Sequence, residues 1–456
     1  MSFEMRWTPI LTALLLALVR AGAQPVPHAR FTATGPLDDP AALPGQIIVA
    51  GSNPGYLKYN GGGPAFLSGP DDPEAFFFLG ELNADGTRSG GPQEEIIRRL
   101  ADTGVSAFHA QMFRMRRCNI KDEGDDTHNP FLNHDPAKGL NPAVLDQWDR
   151  WLEQLEKAGV VVHLEFYNDF TDVALLGWAL DARGNLHPDE ERFVTGIVNR
   201  FKHRKNILWG LQESSNKLPA ARTPYFKKLA AVIARTDNHR HPIVQSFVVP
   251  NDPDEDFPPG GVLSDVYYGD PHIRVVTWLH LIPHGDDLDM QYREYLRYAK
   301  QDSPHFIVMK NETFWRPYLQ REPFGRRYCW AAVMAGMHNL EAQHKADRAA
   351  HEPRLREHGY IAGFMEQTDF HRMRPRPELA AGSTRWVLAN PGRSYIAYTD
   401  NYDQPVGIKD LPPGAYDLLW LDTVDGKTAI QHGVSGAAFE KPPSFGNEVA
   451  VYIKRK

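Results

Sequence analysis

The chain has 456 residues, of which 42% are hydrophobic, and a formal net charge of −7 at pH 7. This length exceeds one small domain and suits a barrel of about 250 residues with an accessory domain. Acidic and basic residues alternate along the sequence without a basic stripe of the kind that a phosphate backbone requires, so nucleic acid is not expected as a partner.

The first 23 residues have the composition of a secretory signal peptide. A basic Arg6 precedes an apolar stretch at 9–19, and the small residues Ala21-Gly22-Ala23 follow it. The apolar stretch is shorter than the roughly 20 residues of a membrane span, and no later segment qualifies. We therefore expect export to a secreted or periplasmic location, with no membrane span. A buried N-terminal helix is the alternative interpretation of the same residues.

Apolar runs of strand length alternate with amphipathic helical stretches from about residue 75 to 345, which is typical of repeated βα units. The predicted strands cover residues 75–82, 105–113, 159–167, 207–213, 242–249, 273–281, 305–312 and 336–343. The predicted helices lie near 93–103, 142–157, 193–201, 223–236, 287–301 and 324–335. Eight strands in this order favour a (β/α)₈ TIM barrel, which we place at residues 45–378. The segment 262–270 competes for the sixth strand.

Beyond about residue 380 the pattern changes to short strands separated by turns. "SYIAYTD", "AYDLLWLDT" and "EVAVYIK" have the alternation of strands, and Asp425-Gly426 predicts a hairpin turn. We predict a small all-β sandwich domain at residues 383–456.

Glutamates stand where predicted barrel strands end. Glu165 ends the third strand, Glu213 the fourth and Glu312 the seventh, and Glu81 ends the first. In a TIM barrel the carboxyl ends of the strands build the pocket, so these side chains are expected to converge. A pair of carboxyl groups across a sugar bond is the minimal machinery of glycoside hydrolysis. The pair Glu213 and Glu312 therefore indicates a carbohydrate substrate.

The stretches "RFKHRKNILWGLQESSN" and "HFIVMKNETFW", the latter followed by "GRRYCWAAVMAGMHNLEAQ", resemble the strand 4 and strand 7 regions of clan A glycoside hydrolases. The tail from residue 383 resembles the collagen-binding-type β domain that follows such barrels in secreted bacterial polysaccharide-degrading proteins. The resemblance implies Glu213 as acid/base and Glu312 as nucleophile of a retaining double displacement, with carboxyls about 5–5.5 Å apart. Gln212 stands where the clan usually has Asn, whose amide typically bonds the sugar 2-hydroxyl, so the resemblance makes Gln212 a candidate for substrate binding.

Other side chains near the strand ends are candidates for substrate binding. Tyr167, Tyr268 and Trp315 offer rings for sugar stacking, with core packing as the alternative. Arg114 and His272 are candidates for bonding the nucleophile or the substrate, and Glu341 for lining the pocket. Glu165 is predicted to support the site from inside the barrel rather than to act as a third catalyst.

No cofactor or metal is expected from the sequence. The acidic stretch 121–135 lacks the spaced glycine of an EF-hand loop, and the chain contains no His-Glu-x-x-His motif. Two alternatives to an active hydrolase stay open: an inactive barrel that binds polysaccharide, and a matrix-adhesion protein that acts through its C-terminal β domain. Oligomeric state, sugar specificity and the pairing of Cys118 with Cys329 also stay open.

Overall fold

The structure, a computed structural model, describes residues 18–20, 30–51, 55–114, 128–168, 177–178, 180–213, 223–248, 267, 269–279, 287–299, 307–310, 323–341 and 345–456. Its centre is an eight-stranded parallel sheet. Its strands, labelled in chain order, are β1 (Ser68–Pro70), β2 (Ala107–Gln111), β3 (Val161–Tyr167), β4 (Ile207–Gln212), β5 (Ile243–Val248), β6 (Ile273–Leu279), β7 (Ile307–Lys310) and β8 (His338–Glu341).

The sheet curls into a barrel because its first and last strands meet. From β2 to β8 each strand pairs with the next along the chain, and β8 pairs with β1 through Asn339 and Ser68, so that β1 and β2 are the two edges that approach each other. The backbone N–H of Ser106, just before β2, donates to the Ser68 carbonyl at 3.0 Å. The approach requires glycine on β1, since a Cβ at Gly69 would lie 1.9 Å from the Ala107 carbonyl oxygen. The predicted parallel barrel is confirmed.

Helices cover the outside of the barrel: α1 (Gln93–Thr103), α2 (Pro142–Lys157), α3 (Pro188–Phe201), α4 (Thr223–Thr236), α5 (Leu288–Ala299), α6 (Phe324–Met334) and α7 (Glu352–Met365). Local sequence sets their ends. Asn141 accepts a hydrogen bond from the Ala143 N–H and precedes Pro142 at the first turn of α2, while Gly104 ends α1 in the left-handed region. Among the described residues, no helix is long and apolar enough to span a membrane.

The prediction for the first strand is wrong. Residues 76–78 form a 3₁₀ turn whose three phenylalanines are buried, and Phe77 stacks on Trp148 of α2 at 4.6 Å. Glu81 lies in the exposed two-residue strand Glu81–Leu82, which pairs with Arg88–Ser89. The apolar run at 75–82 therefore packs under a helix instead of entering the sheet. For the sixth strand, the structure assigns β6 to the run that begins at Ile273.

The C-terminal part consists of antiparallel strands. Their bounds are β9 (Arg374–Pro375), β10 (Ala380–Gly382), β11 (Trp386–Asn390), β12 (Ser394–Thr399), β13 (Val406–Ile408), β14 (Ala415–Asp422), β15 (Thr428–Ser435), β16 (Ala438–Phe439) and β17 (Val449–Arg455). One sheet has the order β15-β14-β17-β12-β11-β9, with Leu18–Arg20 paired to β15; the other has β10-β13-β16. Val387, Trp420 and Phe439 belong to one apolar core that draws on both sheets. The predicted fold class, a TIM barrel followed by a small β domain, is confirmed.

A buried interface joins the barrel helices to the larger C-terminal sheet. Four rings stack across it: Tyr292 on Trp386 at 4.9 Å, Trp386 on Tyr398 at 5.4 Å, and Tyr398 on Trp330 at 5.1 Å. Beside them lies a set of buried charges that we call the interface cluster: Arg326, Arg327, Arg354, Glu357 and Glu448. Apolar stacking and ion pairs therefore both hold the β domain against the barrel.

Candidate active site

The barrel interior changes character from bottom to top. Near the N-terminal ends of the strands it is filled by aliphatic side chains such as Val161, Leu208 and Val275. Towards the C-terminal ends the buried residues become polar: His109, Gln111, His163, Glu165, Gln212, Gln245 and Thr277. Because working residues of TIM barrels sit at this end, which we call the mouth, the polar layer marks the candidate active site.

Glu213 follows directly after β4 and is only 5% exposed. One of its oxygens, Oε2, accepts a hydrogen bond from the Gln111 amide at 2.7 Å. The Oε1 atom of Gln111 accepts in turn from Arg114, whose guanidinium also contacts Glu74 at 3.3 Å. A chain of donors that begins at a fixed cation thus holds the Glu213 carboxyl in place. Arg114, predicted from sequence, acts through Gln111, which the sequence reasoning missed.

Gln212 is fully buried at the last position of β4. Its side-chain amide donates to the Asn168 carbonyl at 3.1 Å, just beyond the end of β3. The amide that the resemblance assigns to the sugar 2-hydroxyl therefore contacts the backbone of the neighbouring strand end. Gln212 tethers the loop after β3.

A buried triad of ionisable side chains lies beneath these residues, and we call it the mouth triad: Asp71, His109 and Glu165. The Nδ1 atom of His109 lies 3.1 Å from Asp71 Oδ1, and Nε2 lies 3.0 Å from Glu165 Oε2. All three side chains are fully buried, and Ser246 donates to the second Glu165 oxygen at 2.8 Å. Glu165 therefore lies inside the barrel, bonded to His109 and Ser246.

The mouth triad contains a charged histidine. Burial lowers the pKa of His109, but the Asp71 and Glu165 carboxyls outweigh burial and hold this pKa well above its ordinary value. Burial also raises the pKa of Glu165, which His109 and Ser246 oppose. The ring of His163 stacks on His109 at 4.8 Å, and burial together with the His109 charge holds the pKa of His163 well below its ordinary value. The two neighbouring imidazoles thus take opposite protonation states.

Further acidic groups surround the mouth triad. Asp72 lies 2.8 Å from Lys345, yet burial and the nearby Glu74 raise the pKa of Asp72 to about 8. Asp71, Glu74 and His109 each offer a potential metal-ligand atom, and these atoms lie within 4.8 Å of one another. In the structure both ring nitrogens of His109 lie at ion-pair distance from carboxyl oxygens, those of Asp71 and Glu165. We therefore interpret this group as an ion-paired cluster.

The other predicted residues have different positions. Glu341 ends β8 beside β1, is 3% exposed, and accepts the Asp71 N–H at its carbonyl, which places it at the mouth. Tyr167 is completely buried, and its hydroxyl donates to Glu190 of α3 at 3.0 Å. His272 directly precedes β6, at the end of the barrel opposite the mouth. The predicted sugar contacts of Tyr167 and His272 are corrected accordingly: one is a core residue and the other lies at the wrong end.

Three predicted residues lie outside the described residues, namely Tyr268, Glu312 and Trp315. Cys118 also lies outside them, so its pairing with the buried Cys329 stays untested. The sequence carried one usable signal for the missed residues. His109 and Gln111 alternate with apolar residues on β2, and His163 and Glu165 do so on β3. Polar residues at every second position in the last half of a barrel strand indicate the interior of the mouth.

No protein-family profile matches the chain, and no curated protein matches it. Solved structures do. One described as a glycoside hydrolase aligns over 90% of this chain and 97% of its own, with a TM-score of 0.62 and 16% identity. A glycoside hydrolase family 5 structure from Bacteroides vulgatus ATCC 8482 aligns over 90% and 93%, with a TM-score of 0.60 and 15% identity. A third structure, described as a putative glycoside hydrolase from the same organism, aligns over 90% of this chain and 82% of its own, with a TM-score of 0.59 and 11% identity. These likenesses establish the fold.

Proposed function

We propose that this protein is an exported glycoside hydrolase that cleaves O-glycosidic bonds with retention of configuration. The observation that carries the proposal is Glu213: a buried carboxyl at the mouth end of β4, held through one oxygen by the Gln111 amide. A carboxyl fixed in this way at the mouth of a TIM barrel suits proton transfer to a bound ligand. The likeness of the fold to glycoside hydrolase structures supports the same reaction class.

In the proposed mechanism two glutamates divide the work. The Glu312 carboxylate, two residues after the last residue of β7, attacks the anomeric carbon while Glu213 protonates the departing glycosidic oxygen. The C–O bond to the leaving group breaks and a glycosyl ester on Glu312 forms. In the second half Glu213, now ionised, takes a proton from water, and the water oxygen displaces Glu312. The product keeps its anomeric configuration because two inversions have occurred.

The surroundings have supporting roles. Arg114 positions Gln111, and Gln111 fixes one oxygen of Glu213, so the carboxyl does not rotate between the two half-reactions. The mouth triad supplies a positive His109 between two buried carboxyls and so limits the negative charge beneath the pocket. Because the surrounding groups are mainly acidic, we propose a neutral sugar at the site of cleavage.

A panel of aryl glycosides tests the function. Wild-type protein is expected to hydrolyse at least one member, and Glu213→Gln or Glu312→Gln to lower kcat by about 10³-fold or more. Glu81→Gln is the matched control, since Glu81 is an exposed glutamate in the hairpin after the Phe76–Phe78 turn. Equal loss in the control, or full activity in Glu312→Gln, would contradict the proposal.

The leaving group separates the two roles. A dinitrophenyl glycoside departs without protonation, so Glu213→Gln should still form the glycosyl ester but hydrolyse it slowly for lack of a base. Azide needs no base to attack, so adding azide should accelerate this variant and yield a glycosyl azide. Glu312→Gln lacks the nucleophile that forms the glycosyl ester, so azide should not give a glycosyl azide of retained configuration with this variant. The reverse pattern would exchange the two assignments.

An inactive barrel that binds polysaccharide is the second candidate, favoured by one observation. The Gln212 amide donates a hydrogen bond to the Asn168 carbonyl, a backbone group, whereas the resemblance assigns this position to the sugar 2-hydroxyl. This candidate predicts polysaccharide binding without turnover of any panel member.

Export is tested separately. Expression with residues 1–23 present should yield secreted or periplasmic protein that begins near Gln24, and retention in the cytoplasm would contradict the proposed export.

A further inference from the structure

A positively charged groove lies far from the mouth. It has a volume of about 630 Å³ and is lined by Arg372, Arg393, Lys454 and Arg455 together with His371 and Asn390. Asn390 ends β11, Arg393 lies in the turn between β11 and β12, and Lys454 and Arg455 end β17. Register brings them together, because Ser394 pairs with Lys454 and the Arg455 N–H donates to the Arg393 carbonyl at 2.9 Å.

The groove lies at the N-terminal end of the barrel. The His371 ring packs on Tyr56 at 4.5 Å, and its neighbour Phe370 packs on Phe66 at 5.1 Å. Phe66 lies two residues before the start of β1, and His338, which also contacts Phe370, begins β8. Both mark the end of the barrel opposite Glu213, so the groove is separate from the candidate active site.

The cations of the groove outnumber its one lining acid, Asp369. Arg372, Arg393 and Lys454 are exposed and form no ion pair with any residue in the described part of the chain, and Arg455 donates to the Pro413 carbonyl instead of a carboxylate. The acid that lines the groove, Asp369, already accepts from the Ser394 hydroxyl at 2.9 Å and the Tyr452 hydroxyl at 2.8 Å. By contrast, Arg385 on the same sheet is paired with Asp400 and Asp289.

We propose that this groove binds a carboxylate-bearing polysaccharide and anchors it to the protein. Guanidinium groups match carboxylates through two parallel hydrogen bonds, and Asn390 offers an amide for sugar hydroxyls. The volume falls within the range of about 300–1,000 Å³ that is usual for ligand sites. The choice of a glycan over other polyanions rests on the proposed function.

The arrangement separates binding from cleavage. The mouth, with its surplus of carboxyl groups, suits a neutral sugar, whereas the groove at the other end suits a charged one. A polymer held at the groove therefore reaches the mouth through a distant segment or through a neighbouring chain in the same material. The groove is expected to raise the local concentration of substrate without taking part in the chemistry.

Affinity electrophoresis of the full chain in gels that contain polygalacturonate tests the proposal. Wild-type protein should be retarded by polygalacturonate but not by dextran, and rising NaCl should abolish the effect. The double variant Arg372→Gln/Arg393→Gln should bind about tenfold more weakly or worse. The matched control Arg98→Gln/Lys409→Gln removes the same charge from two exposed sites elsewhere and should bind like the wild type.

The readout does not depend on turnover. The Glu312→Gln protein should be retarded like the wild type. If the protein binds polygalacturonate but has no hydrolase activity, the groove proposal is supported although the proposed function is not. If it is active but does not bind, the groove proposal is overturned while the proposed function stands. Equal loss in the double variant and its control would also overturn it, since only total charge would then matter. Tighter, groove-dependent binding of an oligonucleotide or of phosphatidylglycerol vesicles would contradict the assignment to a glycan.

Discussion

The interface cluster and the mouth both contain buried carboxyl groups, but the pKa values of these carboxyls shift in opposite directions. In the interface cluster Arg326 binds Glu448 through two nitrogens at 2.8 and 3.0 Å, and Arg327 adds a contact at 3.1 Å. Burial raises the pKa of Glu448, but these arginines outweigh burial and lower it. At the mouth, burial prevails, and the pKa values of Glu165 and Asp72 are raised.

This difference distinguishes the interface cluster, which holds two domains together, from the mouth, which is the candidate active site. The interface cluster contains three arginines and two glutamates, so its cations outnumber its carboxyls. The Tyr398 hydroxyl also donates a hydrogen bond of 2.9 Å to the Glu448 carboxyl. At the mouth the carboxyls of Asp71, Asp72, Glu74, Glu165, Glu213 and Glu341 outnumber the cations among the described residues there. Surplus negative charge and perturbed pKa values are typical of functional sites. Four predictions test this contrast, from the largest effect to the smallest.

Arg326→Met should cause the largest loss of stability. It leaves Glu448 and Glu357 buried with fewer partners, so the free energy of unfolding should fall by about 3–5 kcal/mol. Urea denaturation measures the change. Arg98→Met, which breaks an exposed ion pair with Asp102, is the matched control and should cost less than about 1 kcal/mol. Equal costs would mean that the interface cluster is no stronger than a surface pair.

His109→Gln should destabilise the protein by about 3 kcal/mol at pH 6, because two buried carboxyls lose the cation between them. The folded pKa of His109 is raised above the unfolded value of about 6.5, so its stabilising contribution is complete below that pH. This contribution is lost as pH rises through the folded pKa. The difference between variant and wild type in urea should therefore shrink towards alkaline pH.

His163→Gln is the control for this prediction. The folded pKa of His163 is lowered, so in the wild type this residue weakens folding as pH falls below about 6.5. The free energy of unfolding of His163→Gln should therefore rise relative to that of the wild type as pH falls, whereas that of His109→Gln should fall relative to the wild type. A difference that is constant over pH for both variants would contradict the assigned protonation states.

Asp237→Asn extends the contrast to a third buried acid at the bottom of the barrel. Asp237 contacts the His241 ring at 2.8 Å and the Trp209 indole at 2.9 Å. Burial raises its pKa, but these hydrogen bonds outweigh burial and lower it to about 2. The substitution should cost about 2 kcal/mol at pH 7. Wild-type stability from this group is present above about pH 4 and is lost as pH falls through 2, a loss that the variant should lack in acid titration.

Gln212→Asn should have the smallest effect. The shorter amide does not reach the Asn168 carbonyl, so we expect a stability loss of about 1 kcal/mol, measured by thermal unfolding. If Gln212 tethers the loop after β3, KM should change by less than about tenfold. A large rise in activity on restoring Asn would show instead that the amide acts on the substrate.

Periodicity predicted the barrel well because helices and strands of a βα repeat carry long, distinct patterns. The helices at 93–103 and 223–236 have the predicted bounds, and β4 begins at the predicted Ile207 and ends at Gln212, one residue before the predicted end. The first strand failed because "SGP" has no strand propensity. Tight packing against Ala107 requires Gly69 there, while the more apolar "AFFF" packs under α2.

The site was predictable in part. A glutamate at the end of a strand marked Glu213, but its partners are distant in sequence: Gln111 lies on β2, and Asp71 follows β1. Tyr167 was assigned to the pocket from its place at a strand end, and only packing reveals that it faces Glu190 instead. Pairing of buried charges depends on register and twist, which a local pattern does not encode.

Mass spectrometry of Glu213→Gln protein incubated with a dinitrophenyl glycoside tests the central claim most directly. Since this variant should form the glycosyl ester but lacks the base to hydrolyse it, the covalent intermediate should accumulate. The predicted result is a mass increase of one glycosyl unit, mapped to the peptide that contains Glu312. An adduct on a different residue, or turnover of the substrate with no adduct and with an inverted product, would contradict the account.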